Sequence, residues 1–257
     1  YTAPVVSESA KTASVTELYG SLPTKGNGAV IAVLDTGFRL THEVFSTYRV
    51  SETLNKAKME AIRDGAKGLN GKGVYYNAKI PFCYDYNGND TDVGSYMSHG
   101  TAVAGIAAGN SGSYEGIAPY AQLLAMKIFD DTNGQTDSSV YFAALEDAYL
   151  LGADVVNLSL GAQNGFAYDY ELETEVFGNI YEKLKNAGVF VFGAVGNEYS
   201  QGYGAYAYNY ASRDTGINAV TSDYADYGVA SSPASYRDVI AVGSFNNATK
   251  YYAYTVT

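Results

Sequence analysis

One run constrains the fold more than any other: Val189-Phe-Val-Phe-Gly-Ala-Val-Gly-Asn197, apolar and rich in β-branched and aromatic side chains until it stops at Gly-Asn. Such a run has no polar face to offer water. It reads as a strand buried on both sides of a parallel sheet, delivering an amide to the sheet's carboxyl edge, where open α/β folds keep their chemistry. Ala29 to Leu34 repeats the design and ends at Asp35, and Ala121 to Phe129, Val155 to Leu158 and Val239 to Val242 read as further strands. Between them lie helical patterns. Val140, Ala144, Leu145, Ala148 and Leu151 form a stripe closed by Gly152, and Glu171 to Ala187 runs from acidic to basic and is stopped by Gly188. The alternation predicts an α/β fold with a mainly parallel central sheet flanked by helices.

Three side chains then stand at strand or helix ends. Asp35 precedes Thr-Gly, and reads either as a carboxylate that orients an imidazole or as a turn-capping residue. His99 precedes Gly-Thr-Ala-Val-Ala-Gly-Ile-Ala-Ala-Gly109, a small, apolar stretch suited to a buried helix with the imidazole at its N-terminus. Asn197 is either a turn residue or a donor for oxygen that becomes negative during acyl transfer. The second histidine, His42, lies seven residues past Asp35 in a short turn, and is expected to be structural.

Ile31-Ala-Val-Leu-Asp35-Thr-Gly37, His99-Gly-Thr101, Val156-Asn-Leu-Ser159-Leu-Gly161 and Gly193-Ala-Val-Gly-Asn197 together resemble the subtilisin-like serine proteases, in that family's order and over roughly 160 residues. Gly116-Ile-Ala-Pro-Tyr-Ala-Gln-Leu-Leu-Ala-Met-Lys127 and Asp226-Tyr-Gly-Val-Ala-Ser-Ser-Pro-Ala-Ser235 look like the cell-envelope, lactocepin-type branch. The resemblance implies a three-layer subtilisin-like fold, incomplete in this chain, and a peptidase in which Asp35, His99 and Asn197 are catalytic. It also implies that Gly134 and its neighbours pair edge-on with substrate backbone, and that Ser159, Leu160 and Gly161 form one wall of a specificity pocket. Ala102 stands where a second histidine often follows Gly-Thr in the family, a departure that leaves the triad role untouched.

The family's nucleophilic serine sits in Gly-Thr-Ser, which does not occur here. Ser231-Ser-Pro233 lacks both the glycine and a helical pattern after it. Residues 1–20 are therefore expected to form an N-terminal arm, 21–243 the first part of a peptidase domain, and 244–257 a segment leading toward an inserted protease-associated domain. The isolated chain is expected to be inactive, its serine supplied by later sequence. The alternative is a non-catalytic relative that binds peptides.

Charge and composition remove other classes. With 16 Lys plus Arg against 27 Asp plus Glu the formal net charge is -11, which disfavours nucleic acid and anionic lipid as partners and says little about substrate; protein or peptide substrates are what the resemblance implies. Cys83 is the single cysteine, so no internal disulfide forms, and Ile80, Pro81 and Phe82 around it predict a buried, inert thiol. No apolar run is long enough to span a bilayer, and the resemblance implies a secreted or cell-surface bacterial protein. No cofactor is required for the chemistry. The oxygen-rich stretch Asp85-Tyr-Asn87-Gly-Asn89-Asp90-Thr-Asp92 raises a structural calcium, although Gly88 breaks the EF-hand spacing and a solvated acidic loop is the preferred expectation.

Overall fold

The computed structural model describes residues 15, 17, 24–65, 68–111, 113–161, 180–197 and 230–243. The expected arm, apart from Val15 and Glu17, and the expected 244–257 segment lie outside the described residues, as do residues 171–179 of the predicted acidic-to-basic helix.

Among the described residues six strands form one sheet, every neighbouring pair parallel: β1 (Val30–Asp35), β2 (Phe82–Asp85), β3 (Gln122–Lys127), β4 (Val155–Leu158), β5 (Phe190–Ala194) and β6 (Val239–Val242). Their spatial order is β2-β3-β1-β4-β5-β6. Helices α1 (Lys56–Asp64), α2 (His99–Ala108), α3 (Ser138–Leu150) and α4 (Ile180–Asn186) come between consecutive strands.

Alternate residues of β1 go to opposite cores, as a strand's two-residue period requires. Val30, Ala32 and Leu34 join Leu124, Met126, Val156 and Leu158 under Ala144, Leu145 and Ala148 of α3 and Leu184 of α4. Ile31 and Val33 join Leu123 and Ala125 under Ala104 and Ala108 of α2. Each fully buried Val, Leu or Ile stabilises the fold by about 1.5–3 kcal/mol relative to exposure. Burial on both faces is why the runs of β1 and β3 are continuous rather than alternating. The run that ends at Asn197 departs from this expectation: in β5 Val191 and Gly193 are buried while Phe190 is exposed, and in β6 Ile240 and Val242 are exposed.

The helix ends follow local chemistry. Asn55 caps α1 by accepting from the Lys58 amide, which sets where that helix starts. Asp137 caps α3 by accepting from the Ser139 amide, and Gly152, at φ +78°, ends that turn. Within residues 74–86 only β2 is a strand, and Val74 meets it as an isolated antiparallel bridge to Cys83. The Cys83 thiol is 1% exposed and burial pushes its pKa up to about 11, so it is not a nucleophile at neutral pH.

Candidate active site

Because the strands are parallel, the ends of β1, β4 and β5 share one edge of the sheet. That edge presents Asp35, the Ser159–Gly161 segment and, three residues past β5, Asn197. His99 opens α2, whose small buried residues Gly100, Ala104, Gly105 and Ala108 let the helix lie close on the sheet.

His99 Nδ1 is 2.7 Å from Asp35 Oδ1. The Asp35 side chain is 1% exposed and that of His99 53% exposed, so the carboxylate is shielded while the imidazole borders solvent. Asp35 Oδ1 also accepts from the Thr36 amide at 2.7 Å, which fixes the carboxylate before the imidazole meets it. The hydrogen bond with Asp35 lifts the His99 pKa above the ordinary imidazole value; burial opposes this and the carboxylate's charge adds to it. A histidine so arranged has one nitrogen committed to a carboxylate and the other, Nε2, on the far side of the ring for proton transfer.

The two motifs interlock. Gly100 N donates to Thr36 Oγ1 at 3.2 Å, and Arg39 N donates to Thr101 Oγ1 at 2.9 Å, so each motif's threonine satisfies a backbone amide of the other segment. Gly37 has φ +142°, and a β-carbon there would lie 2.5 Å from Ser95 Cβ. The glycines and threonines around the two titratable residues are thus contact residues between β1 and α2.

The remaining expected residues fall as follows. Asn197 is exposed in a bend after Gly196, which has φ +97°. Gly161 is exposed and packs on the 231–232 segment, its β-carbon position 2.8 Å from Ser231 Cβ. Ser159 and Leu160 are half-buried. Gly134, at φ +66°, lies in the 130–136 segment, which is exposed from Thr132 to Gln135, with its β-carbon position 4.0 Å from Met97 Sδ. His42 accepts from the Val44 amide at 3.3 Å and meets the Phe45 ring edge-on, away from this constellation. Ser231 is 4% exposed and precedes a turn rather than a helix.

The acidic stretch corrects one expectation. Asp90 and Asp92 are exposed, but Asp85 is 4% exposed and forms a 2.6 Å ion pair with Lys127, itself 5% exposed. Lys127 also pairs with Asp131 at 2.8 Å. These residues, with Asp90, Asp92 and Asp130, line a cavity of about 370 Å³. Asp85 Oδ1 accepts from the Asn87 and Gly88 amides, and Asp90 and Asp92 accept from amides two residues on. The most buried carboxylate of the stretch is committed to an ammonium, and among the described residues no group of three or more His, Cys, Asp or Glu is arranged to hold a metal. The sequence signal for the Lys127 pairs was a lysine closing an otherwise apolar strand, with carboxylates far away in sequence.

The subtilase-family model of peptidase S8 matches residues 26–257. The PIII-type proteinase of Lactococcus lactis subsp. cremoris (strain SK11) is 32% identical over 250 residues, which are 91% of this chain and 12% of that protein. The PI-type proteinase of Lactococcus lactis subsp. cremoris is 38% identical over 168 residues, 60% of this chain and 8% of that protein. The C5a peptidase of Streptococcus pyogenes serotype M6 (strain ATCC BAA-946 / MGAS10394) is 32% identical over 237 residues, 86% of this chain and 18% of that protein. The chain therefore spans only a small part of the length of these relatives. Among solved structures, the prenylagaramide maturation protease PagA shares the fold, with a TM-score of 0.54 at 20% identity over 91% of this chain and 59% of that one. Among the described residues no helix is long and apolar enough to cross a membrane.

Proposed function

Because this chain belongs to the subtilase family, we propose that it contributes the aspartate, the histidine and the oxyanion donor of a secreted or surface-attached bacterial serine endopeptidase. Asp35 holds the His99 imidazole in one orientation and stabilises its charge as it forms. His99 Nε2 takes the proton from a serine hydroxyl as that oxygen attacks the scissile carbonyl, and returns it to the leaving amine. The Asn197 side-chain amide and the serine's own backbone N–H hold the oxyanion. The serine belongs to sequence beyond residue 257, so the isolated chain does not hydrolyse peptides. Substrate lies extended along the segment from Gly134 to Thr136, with its side chain before the cleaved bond against Ser159, Leu160 and Gly161.

The observation that carries this reading is the 2.7 Å contact between His99 Nδ1 and Asp35 Oδ1, with the carboxylate shielded and the imidazole open. A structural histidine has no need of that asymmetry, whereas a general base requires it.

The test uses the parent polypeptide and a fluorophosphonate probe for activated serine. Labelling at one serine beyond residue 257, lost on His99→Ala while the circular dichroism spectrum is retained, is the expected result. Undiminished labelling of the His99→Ala variant, or labelling of the isolated 257 residues at a defined serine, overturns it. A parent that takes no probe yet binds peptides is the non-catalytic relative.

A further inference from the structure

Lys127, Asp131 and Ser95 have no part in proton transfer, yet they connect the two walls between which a substrate would lie. Lys127 closes β3 in register with Asp35, which closes β1. Its Nζ donates to Asp85 Oδ2 at 2.6 Å and to Asp131 Oδ2 at 2.8 Å. The other oxygen of Asp131 accepts from Ser95 Oγ at 2.5 Å, and Ser95 Oγ accepts from the Met97 amide at 3.1 Å. Met97 is two residues before His99. Ser95 also lies against Gly37, two residues after Asp35.

We infer that Asp131, held by Lys127, is a positioning residue that fastens the 130–136 loop, which carries the substrate-pairing Gly134 to Thr136, to the loop leading into His99. The inference rests on the peptidase reading above for its consequence, and on geometry alone for the clamp. A buried ammonium is costly unless paired, so Lys127 requires its two carboxylates. Of these, Asp85 is the fixed one: it ends β2, its side chain is 5% exposed and it is bound by two amides. Asp131 is the adjustable one, its side chain 40% exposed on a loop. Lys127 therefore draws the 130–136 loop toward the sheet, and the second oxygen of Asp131 passes that constraint to Ser95. Within the loop, Gly134 N bonds Asp130 O and Asp130 N bonds Gln135 O, so fixing Asp131 fixes the segment as a unit.

Two measurements on the parent polypeptide test this. In Asp131→Asn and in Ser95→Ala, amide hydrogen exchange should accelerate together in residues 130–136 and 95–98, with β1 and β3 unchanged. The KM for peptides long enough to span the segment should rise about tenfold, with kcat changed less, because the loss is of binding and not of proton transfer. Exchange that rises in one loop only, or not at all, overturns the clamp whatever the enzyme's activity. Accelerated exchange in both loops with an unchanged KM overturns the link to substrate. If Asp131→Asn unfolds, Ser95→Ala decides through residues 130–136 alone, since the lost hydroxyl also accepts from the Met97 amide and exchange within 95–98 would rise without a clamp. Absence of serine labelling in the wild-type parent counts against the peptidase reading and is separate from the exchange result.

Discussion

Gly100 lies directly on Gly37. A β-carbon on Gly100 would stand 2.4 Å from the Gly37 carbonyl oxygen and 3.1 Å from Asp35 Cβ. The helix that carries His99 can therefore reach the strand that carries Asp35 only through a residue without a side chain. The 2.7 Å contact between imidazole and carboxylate depends on that approach. The glycine after the histidine is a packing requirement first and a motif letter second.

Gly100→Ala should accordingly be far worse than an ordinary helix substitution, although alanine is the better helix former. The clash is with backbone, which cannot rotate away, and overpacking of this kind costs about 1–3 kcal/mol. Displacing the imidazole by about 1 Å should lower kcat/KM of the parent enzyme roughly 10²-fold. Thermal denaturation and serine-probe labelling measure the two effects; a variant with wild-type labelling would mean that α2 does not set the position of His99.

The pH dependence of the Asp35–His99 pair has opposite signs for activity and for stability. Asp35 raises the His99 pKa, and a general base must be neutral, so the acidic limb of kcat/KM should lie above the ordinary histidine value. Asp35→Asn should move that limb down as well as lowering turnover. For folding, a raised pKa in the native state gives stabilisation that is complete below the unfolded imidazole's pKa. It is lost as pH rises through the folded value. A titration of kcat/KM with its acidic limb at or below the ordinary histidine value would contradict the pairing.

The strands were legible because nothing competes for a continuous apolar run bounded by polar residues: Val30–Asp35 and Gln122–Lys127 fall inside the runs read from sequence. Asp35 and His99 were legible through the motifs around them, whose glycines and threonines prove to be the contacts between β1 and α2. Asp85 was not. It stands in a stretch that reads as solvated, and only the folding of β3 beside β2, in register Asp85 with Lys127, makes it a buried ion-pair partner. A pairing across 42 residues leaves no local trace.

Lys79 is the least expected residue in the fold, and it supplies a stability prediction independent of catalysis. Its side chain is fully buried, 0% exposed, and among the described residues no carboxylate pairs with it. Its Nζ donates to the Pro119 and Ala121 carbonyls at 3.0 and 2.7 Å, tying the approach to β2 to the approach to β3. Burial pulls its pKa from 10.5 down to about 7. Between those values the unfolded chain binds more protons than the native one, so stability should rise with pH through that window. The rise is on the order of a few kcal/mol, moderated by the two carbonyls, which favour the charged form. Lys79→Met removes the titrating group and should flatten this alkaline rise in denaturant midpoints measured between pH 7 and 10. The same substitution leaves two carbonyls without a donor, at about 1–3 kcal/mol each, so the variant is expected to be less stable at alkaline pH. At pH 7 the gap narrows, because there the wild type bears the cost of a buried charge. A Lys79→Met variant that kept the wild-type slope would show that the ammonium remains charged across the whole range and that the two carbonyls suffice to hold it so.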